Sequence, residues 1–93
     1  MRTIKYTKKF KQDYKREKKS HRRHTLDTDL LTVVQLLVKD QILPTRYCDH
    51  ALVGEWKDHR DCHIKPDLIL IYRKPNAKTL ELIRLGSHSQ LGL

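Results

Sequence analysis

The chain has 93 residues, 38% of them hydrophobic, and 20 Lys and Arg against 11 Asp and Glu, for a formal charge of +9. That is enough for one modest core in one domain spanning residues 1–93, and too little to enclose a dinucleotide cofactor. The longest apolar run, Leu68-Ile69-Leu70-Ile71-Tyr72, is far short of the ~20 residues of a membrane span, and two cysteines do not make a disulfide scaffold.

Along the chain, Arg2 to Tyr6 alternates polar and apolar residues and predicts a first strand. Thr7 is placed to cap a helix running to about Ser20, with Phe10 and Tyr14 on its buried side. A second helix is predicted from Asp27 to Gln41. Leu26, Leu30, Val33, Val34, Leu37 and Gln41 mark its stripe, broadened by Leu31 and Val38, and Pro44 lies just past its end. Ala51 to Trp56 reads as a strand or a turn around Gly54. Arg60 to Lys65 alternates, with Cys62 and Ile64 on one face and Asp61, His63 and Lys65 on the other. After Pro66, Leu68 to Tyr72 is apolar at every position, as in a strand covered on both faces. Lys74 to Lys78 has turn chemistry, Thr79 to Leu85 is a last strand, and a short tail starts at Gly86. The class is α+β: an N-terminal strand and two helices packed on a small antiparallel sheet.

The charge is uneven. Residues 1–24 hold eleven basic side chains and two acids, Asp13 and Glu17, while residues 25–93 hold nine of each. The whole excess therefore lies in the first quarter. Lys8, Lys9, Lys11, Lys15, Arg16, Lys18 and Lys19 are the expected contacts to RNA phosphates or an acidic protein.

Six histidines are many for this length. His21, His24 and His59 read as exposed. His50 precedes a strand, His63 lies in one, His88 follows the last, Asp67 stands four residues after His63, and Arg84 is near the end of the last strand. Three histidines, a carboxylate and an arginine on one sheet suit acid–base chemistry near neutral pH. Cleavage of RNA by its own 2′-hydroxyl needs such a set: a base, an acid, and positive donors for the phosphorane, with no metal or other cofactor. Zinc held by Cys48, His50, Cys62 and His63 is the rival chemistry. Its spacing does not fit structural zinc sites, and neighbours 62 and 63 of an alternating strand face opposite ways. Serine-hydrolase, dinucleotide and P-loop motifs are absent.

Asp49-His50-Ala51-Leu52, Gly54-x-Trp56-Lys57, Arg60 to Asp67, Leu70-Ile71-Tyr72 and Arg84-Leu85-Gly86-Ser87-His88, in this order, resemble the YafQ-type branch of the RelE/ParE toxin superfamily. The resemblance implies a cytoplasmic bacterial toxin of a type II toxin–antitoxin system. It would cut mRNA in the ribosomal A site and be neutralised by a cognate antitoxin of the DinJ/RelB kind. It implies His50, His63, Asp67, Arg84 and His88 as catalytic positions. His50 and His88 would share the base and acid roles, in either order. Asp67 would orient a histidine or carry a proton, His63 would contact the phosphate or serve as a third proton carrier, and Arg84 would hold the phosphate through its planar fork. The aromatic that the family often has four residues after the last histidine is Gly92 here. Two alternatives remain at this level: a ParE-like gyrase inhibitor, and a non-catalytic RNA- or ribosome-binding protein using the basic quarter alone.

Overall fold

The computed structural model describes all 93 residues. Strand β1 is Thr3–Tyr6, helix α1 Lys8–Lys18, helix α2 Leu26–Val38, and strand β2 the two residues His50–Ala51. Strands β3 (Arg60–Lys65), β4 (Leu68–Asn76) and β5 (Thr79–Gly86) follow, and a single helical turn, α3 (His88–Leu91), ends the chain. The sheet order is β1-β5-β4-β3-β2. β2 to β5 pair antiparallel, as short connections require. β1 departs from this pattern. It lies parallel to β5, Thr3 opposite Thr79 and Tyr6 opposite Leu82, because α1 and α2 intervene and return the chain to the far edge.

Both helices cover one face. Thr7 caps α1 by accepting from Phe10 N at 3.0 Å, as its sequence position predicts. The same hydroxyl donates to the Ile83 carbonyl at 2.7 Å and ties the cap to β5. In α2 the buried stripe is Leu26, Val33, Val34, Leu37 and Val38, while Leu31 is more than half exposed. The helix stops three residues before the predicted Gln41. Asp40 takes a left-handed conformation at φ 56°, and its carboxylate binds Arg2 Nε and Lys74 Nζ, each at 2.7 Å.

The core lies between helices and sheet. Leu68, Leu70 and Tyr72 face it from β4, Cys62 and Ile64 from β3, and Leu80, Leu82 and Leu85 from β5. The intervening Ile69 and Ile71 are equally buried, on the other face, under Leu91, Leu52, Trp56 and Ile83. The run expected to be covered on both faces is so covered, and α3, which the tail did not predict, supplies part of the second cover. The strand expected to end at Tyr72 continues to Asn76, and the turn tightens to Asn76–Lys78, where Asn76 Oδ1 accepts from Lys78 N at 2.8 Å.

β1 ends at Tyr6 while β5 runs on to Gly86, so the end of β5, paired with β4 on one side, has no strand on the other. Side chains of α1 complete the ladder. Asp13 Oδ2 accepts from Leu85 N at 3.0 Å, and Arg16 Nη2 donates to the Leu85 carbonyl at 2.7 Å. Asp13 is 4% exposed and also pairs with Arg84 Nε at 2.7 Å and Arg16 Nη1 at 2.8 Å. Burial pushes its carboxyl up. The Arg84 hydrogen bond, the Leu85 amide and the charges of Arg84 and Arg16 outweigh that and hold it below the usual carboxylate range.

Removing one partner of such a buried pair typically costs ~3 kcal/mol or more. Asp13→Ala should therefore lower the urea midpoint markedly. The Asp13 contribution is present above the unfolded carboxyl pKa of ~3.9 and is lost as pH falls through the lower folded value. The stability gap between the parent and Asp13→Asn should narrow as pH drops from 5 toward 2. A gap constant across that range would show that the charge of Asp13 does not carry it.

Candidate active site

The sheet face away from α1 and α2 collects the histidines from three elements. His50 opens β2 and sits opposite Asp61 in the β2–β3 register. His63 lies two residues beyond Asp61 on the same side of β3, as the alternation predicts. His88 is the first residue of α3, directly after its cap. Ser87 Oγ accepts from Gln90 N at 3.2 Å and Gln90 Oε1 accepts from Ser87 N at 2.8 Å, a reciprocal capping box that fixes the turn. Leu91 anchors α3 on Ile69 and Ile71. The rings of His63 and His88 then meet edge to face, centroids 5.5 Å apart.

Asp61 is the residue that sequence reasoning passed over. Its side chain is 3% exposed, and Oδ1 accepts no hydrogen bond. His50 Nδ1 lies 3.0 Å from that oxygen. The same nitrogen is 2.9 Å from the Cys48 carbonyl oxygen. A carbonyl only accepts, so Nδ1 carries the proton and points at Cys48, and the Asp61 contact is electrostatic. Nε2 of His50 makes no hydrogen bond within the protein, and the side chain is more than half exposed. Burial pushes the Asp61 carboxyl up, attraction to His50, His63 and His88 opposes this, and Asp49 adds to the rise. One buried carboxylate thus lies against His50 and within electrostatic reach of His63 and His88. The signal was present in the alternation of Asp61 and His63 on one strand face, which the count of histidines overshadowed.

Asp49 supports β2 from the other side. Its Oδ1 accepts from the Tyr72 hydroxyl at 2.6 Å and Arg60 Nε at 3.2 Å. Burial and that bond raise the Tyr72 phenol, so Tyr72 is a structural donor. Cys62 is wholly buried in the helix-side core and its thiol is pushed up by burial. It points away from His63, which separates the rival zinc ligands, and no group of three or more His, Cys, Asp or Glu side chains is arranged to hold a metal ion.

Two of the five expected residues are held by ion pairs apart from the histidines. Arg84 is bound through Nε and Nη2 to Asp13. Asp67, in the turn between β3 and β4, pairs with Arg22 Nε at 3.1 Å and lies 3.7 Å from His21 Nε2. In the basic quarter, Lys8, Lys9, Lys11, Lys15 and Lys19 are exposed. Arg16 is engaged by Asp13, Glu17 and the Leu85 carbonyl, and Lys18 by Asp27 at 2.8 Å. Gly86 makes room for Arg16: a Cβ there would lie 2.8 Å from its Nη2. Between α1, α2 and β1 runs an apolar groove of about 680 Å³, lined by Ile4, Tyr6, Phe10, Leu30, Leu31 and Val34, with Lys11 and Lys15 on its rim.

Comparison with known proteins places the chain in a family. Residues 2–92 match the model of a family described as the YafQ bacterial toxin of type II toxin–antitoxin systems. The chain belongs to the YafQ family. An mRNA interferase toxin YafQ of Escherichia coli K12 is 38% identical over 91 residues, covering 97% of this chain and 95% of that protein. YafQ in the crystal structure of the E. coli DinJ–YafQ complex superposes with a TM-score of 0.83 at 38% identity, over 98% of each chain. A metal-bound toxin from Helicobacter pylori gives 0.82 at 44% identity, covering 98% of this chain and 99% of that one. The shared fold is the α+β arrangement expected of this family.

Gly92 occupies the place where YafQ relatives were expected to carry an aromatic. It ends α3 at φ 72°, a left-handed cap that glycine adopts without a Cβ penalty. Leu93 N then bonds back to the His88 carbonyl at 2.9 Å. The position closes the helix beneath His88 and offers no ring.

The tautomer of His50 is directly measurable. In the neutral ring, ¹⁵N–¹H spectra should show Nδ1 protonated and Nε2 bare. Asp61→Asn should keep that tautomer, since the Cys48 carbonyl still accepts. A proton on Nε2 in the parent would reverse the assignment of the bare nitrogen.

Proposed function

We propose that this YafQ-family chain is an mRNA interferase of a type II toxin–antitoxin system. It acts in the cytoplasm on ribosome-bound mRNA and is neutralised by an antitoxin. The observation that carries the reading is the gathering of three histidines on one sheet face, His63 and His88 ring to ring and His50 against the buried Asp61. Imidazoles brought together from three elements supply separate groups for removing one proton and delivering another.

The chemistry follows from what each group can do. The RNA supplies its own nucleophile, the 2′-hydroxyl. His50 Nε2 and His88 take the base and acid roles, one removing the 2′-proton and the other protonating the leaving 5′-oxygen. His63, against His88, stabilises the phosphorane or relays a proton, and Asp67 supplies an anion that Arg22 holds in place until RNA is bound. Arg84 faces the developing charge with what its fork leaves free beyond Asp13. The products are a 2′,3′-cyclic phosphate and a 5′-hydroxyl.

Docking separates from chemistry. The unpaired Lys8, Lys9, Lys11, Lys15 and Lys19 reach ribosomal RNA phosphates, whereas Arg16 and Lys18 are spent largely on contacts within the fold. The apolar groove with its lysine rim suits an amphipathic, acidic segment of the antitoxin, which would cover the docking lysines as it binds.

The deciding experiment is cleavage of a defined mRNA on purified ribosomes. His50→Ala and His88→Ala should each slow cleavage by ~10²–10⁴ while antitoxin binding persists, and His24→Ala should not. Parent-like rates in both variants would defeat the site. Cleavage should also survive a chelator at a concentration that leaves ribosomes intact. Rescue by one particular divalent ion after its loss would mean that the protein itself needs the metal.

The lysines give an independent readout. Replacing Lys8, Lys9, Lys11 and Lys15 by Gln should weaken ribosome binding and reduce its salt slope by up to about four, with the cleavage position unchanged. An unaltered affinity at two salt concentrations would leave this face as a solvated surface.

A further inference from the structure

We infer that Arg22, anchored by the buried Glu17, is a positioning residue for Asp67. This rests on the reading of Asp67 as part of the cleavage site. Asp67 stands in a two-residue turn with its side chain 57% exposed. Left to itself, such a carboxylate would sample several rotamers. Arg22 removes that freedom. Its Nε donates to Asp67 Oδ2 at 3.1 Å and its Nη1 to Glu17 Oε1 at 2.7 Å. The two donors diverge from one rigid plane, so a single side chain bridges two carboxylates on different elements, as the single ammonium of lysine would not.

The anchor is firm. The Glu17 side chain is 1% exposed, on the inner face of α1. Its Oε2 also accepts from Arg16 Nε at 3.1 Å, and its carbonyl accepts from Ser20 Oγ at 2.8 Å. Ser20 Oγ in turn accepts from Arg22 N at 3.1 Å, so the backbone before the arginine is fixed as well. Arg22 itself is only 11% exposed, unlike its exposed neighbours Arg23 and His24.

The groups facing Asp67 are Arg22, His21 and its own backbone amide. Burial is the largest single influence and raises its carboxyl, but these partners together outweigh it and hold the group below the usual range. Asp67 is thereby kept as an anion with Oδ2 engaged and Oδ1 free of side-chain partners. A phosphate drawing Arg22 away would strip the buried Glu17 of its shorter ion pair and leave it to Arg16 alone, which is costly. The geometry favours positioning.

The test compares the parent, Arg22→Gln, Asp67→Asn and their double variant in single-turnover cleavage on ribosomes, with ribosome affinity measured separately. Arg22→Gln should slow cleavage about 10- to 100-fold, the scale of a misplaced group, with affinity within about twofold. Its Asp67 carboxyl, followed by ¹³C chemical shift, should titrate at higher pH. The double variant should be no slower than Asp67→Asn, because both changes disable one element. If Arg22→Gln does not fold, Glu17→Gln combined with Arg22→Gln removes both buried charges while keeping their shapes, and the same loss is expected. Losses that multiply, or weakened ribosome binding at an unchanged rate, overturn the inference. If Asp67→Asn is slow and the Arg22 variants are not, the inference alone falls. If Asp67→Asn cleaves like the parent, the reading of Asp67 falls and takes the inference with it.

Discussion

Where β1 ends, β5 still has backbone to satisfy, and a helix does what a strand would have done. The Asp13 carboxylate receives the Leu85 amide, and the guanidinium of Arg16 supplies the Leu85 carbonyl. A buried amide without a partner costs ~1–3 kcal/mol, so this substitution lets β5 extend past its neighbour. The extension matters because Gly86, Ser87 and His88 follow at once. The angle at which α3 leaves the sheet, and hence the place of His88 beside His63, depends on how α1 grips the end of β5. Arg84 is caught in the same grip.

The inner face of α1 is thus ionic where an ordinary amphipathic helix is apolar. Phe10 is the one large residue it sinks into the core, and Asp13 and Glu17, one turn apart, take the remaining buried positions. Three arginines, Arg16, Arg22 and Arg84, converge on those two acids. The outer face carries the free lysines. One helix holds a local balance of charge inside and the net positive charge outside, so the fold does not depend on the partner that the outside recruits.

Much of this was legible because it rests on local patterns. The strand alternation of Arg60 to Lys65, the cap at Thr7 and the doubly covered run Leu68 to Tyr72 appear in the structure where the residues indicated. The convergence of His63 and His88 follows from strand order. What was not legible is non-local. Nothing near Asp13 signals that it is buried, since its partners Leu85 and Arg84 lie some seventy positions away; Glu17 has its partners Arg16 and Arg22 close by, but a nearby arginine is just as common beside an exposed acid. Asp61 was visible only as the neighbour of His63 on a strand face. The turn α3 was hidden because four residues carry little periodicity, although Ser87 and Gln90 hold the spacing of a capping box. The parallel edge was hidden because β1 contains no sign of which strand it joins.

That edge has a consequence for how the chain comes into being. Thr3 and its ladder partner Thr79 are separated by nearly the whole described chain. Contacts of such high sequence separation form late, after most of the chain-closing entropy has been spent. The hairpins β3–β4 and β4–β5 need only short loops and can form without that edge. Closing the β1 edge brings α1 onto the end of β5, and with it the Asp13 grip next to the turn that bears His88. The histidine face is therefore completed by the slowest contact in the fold, and a chain with β1 undocked keeps His50 and His63 on a sheet whose far edge is open.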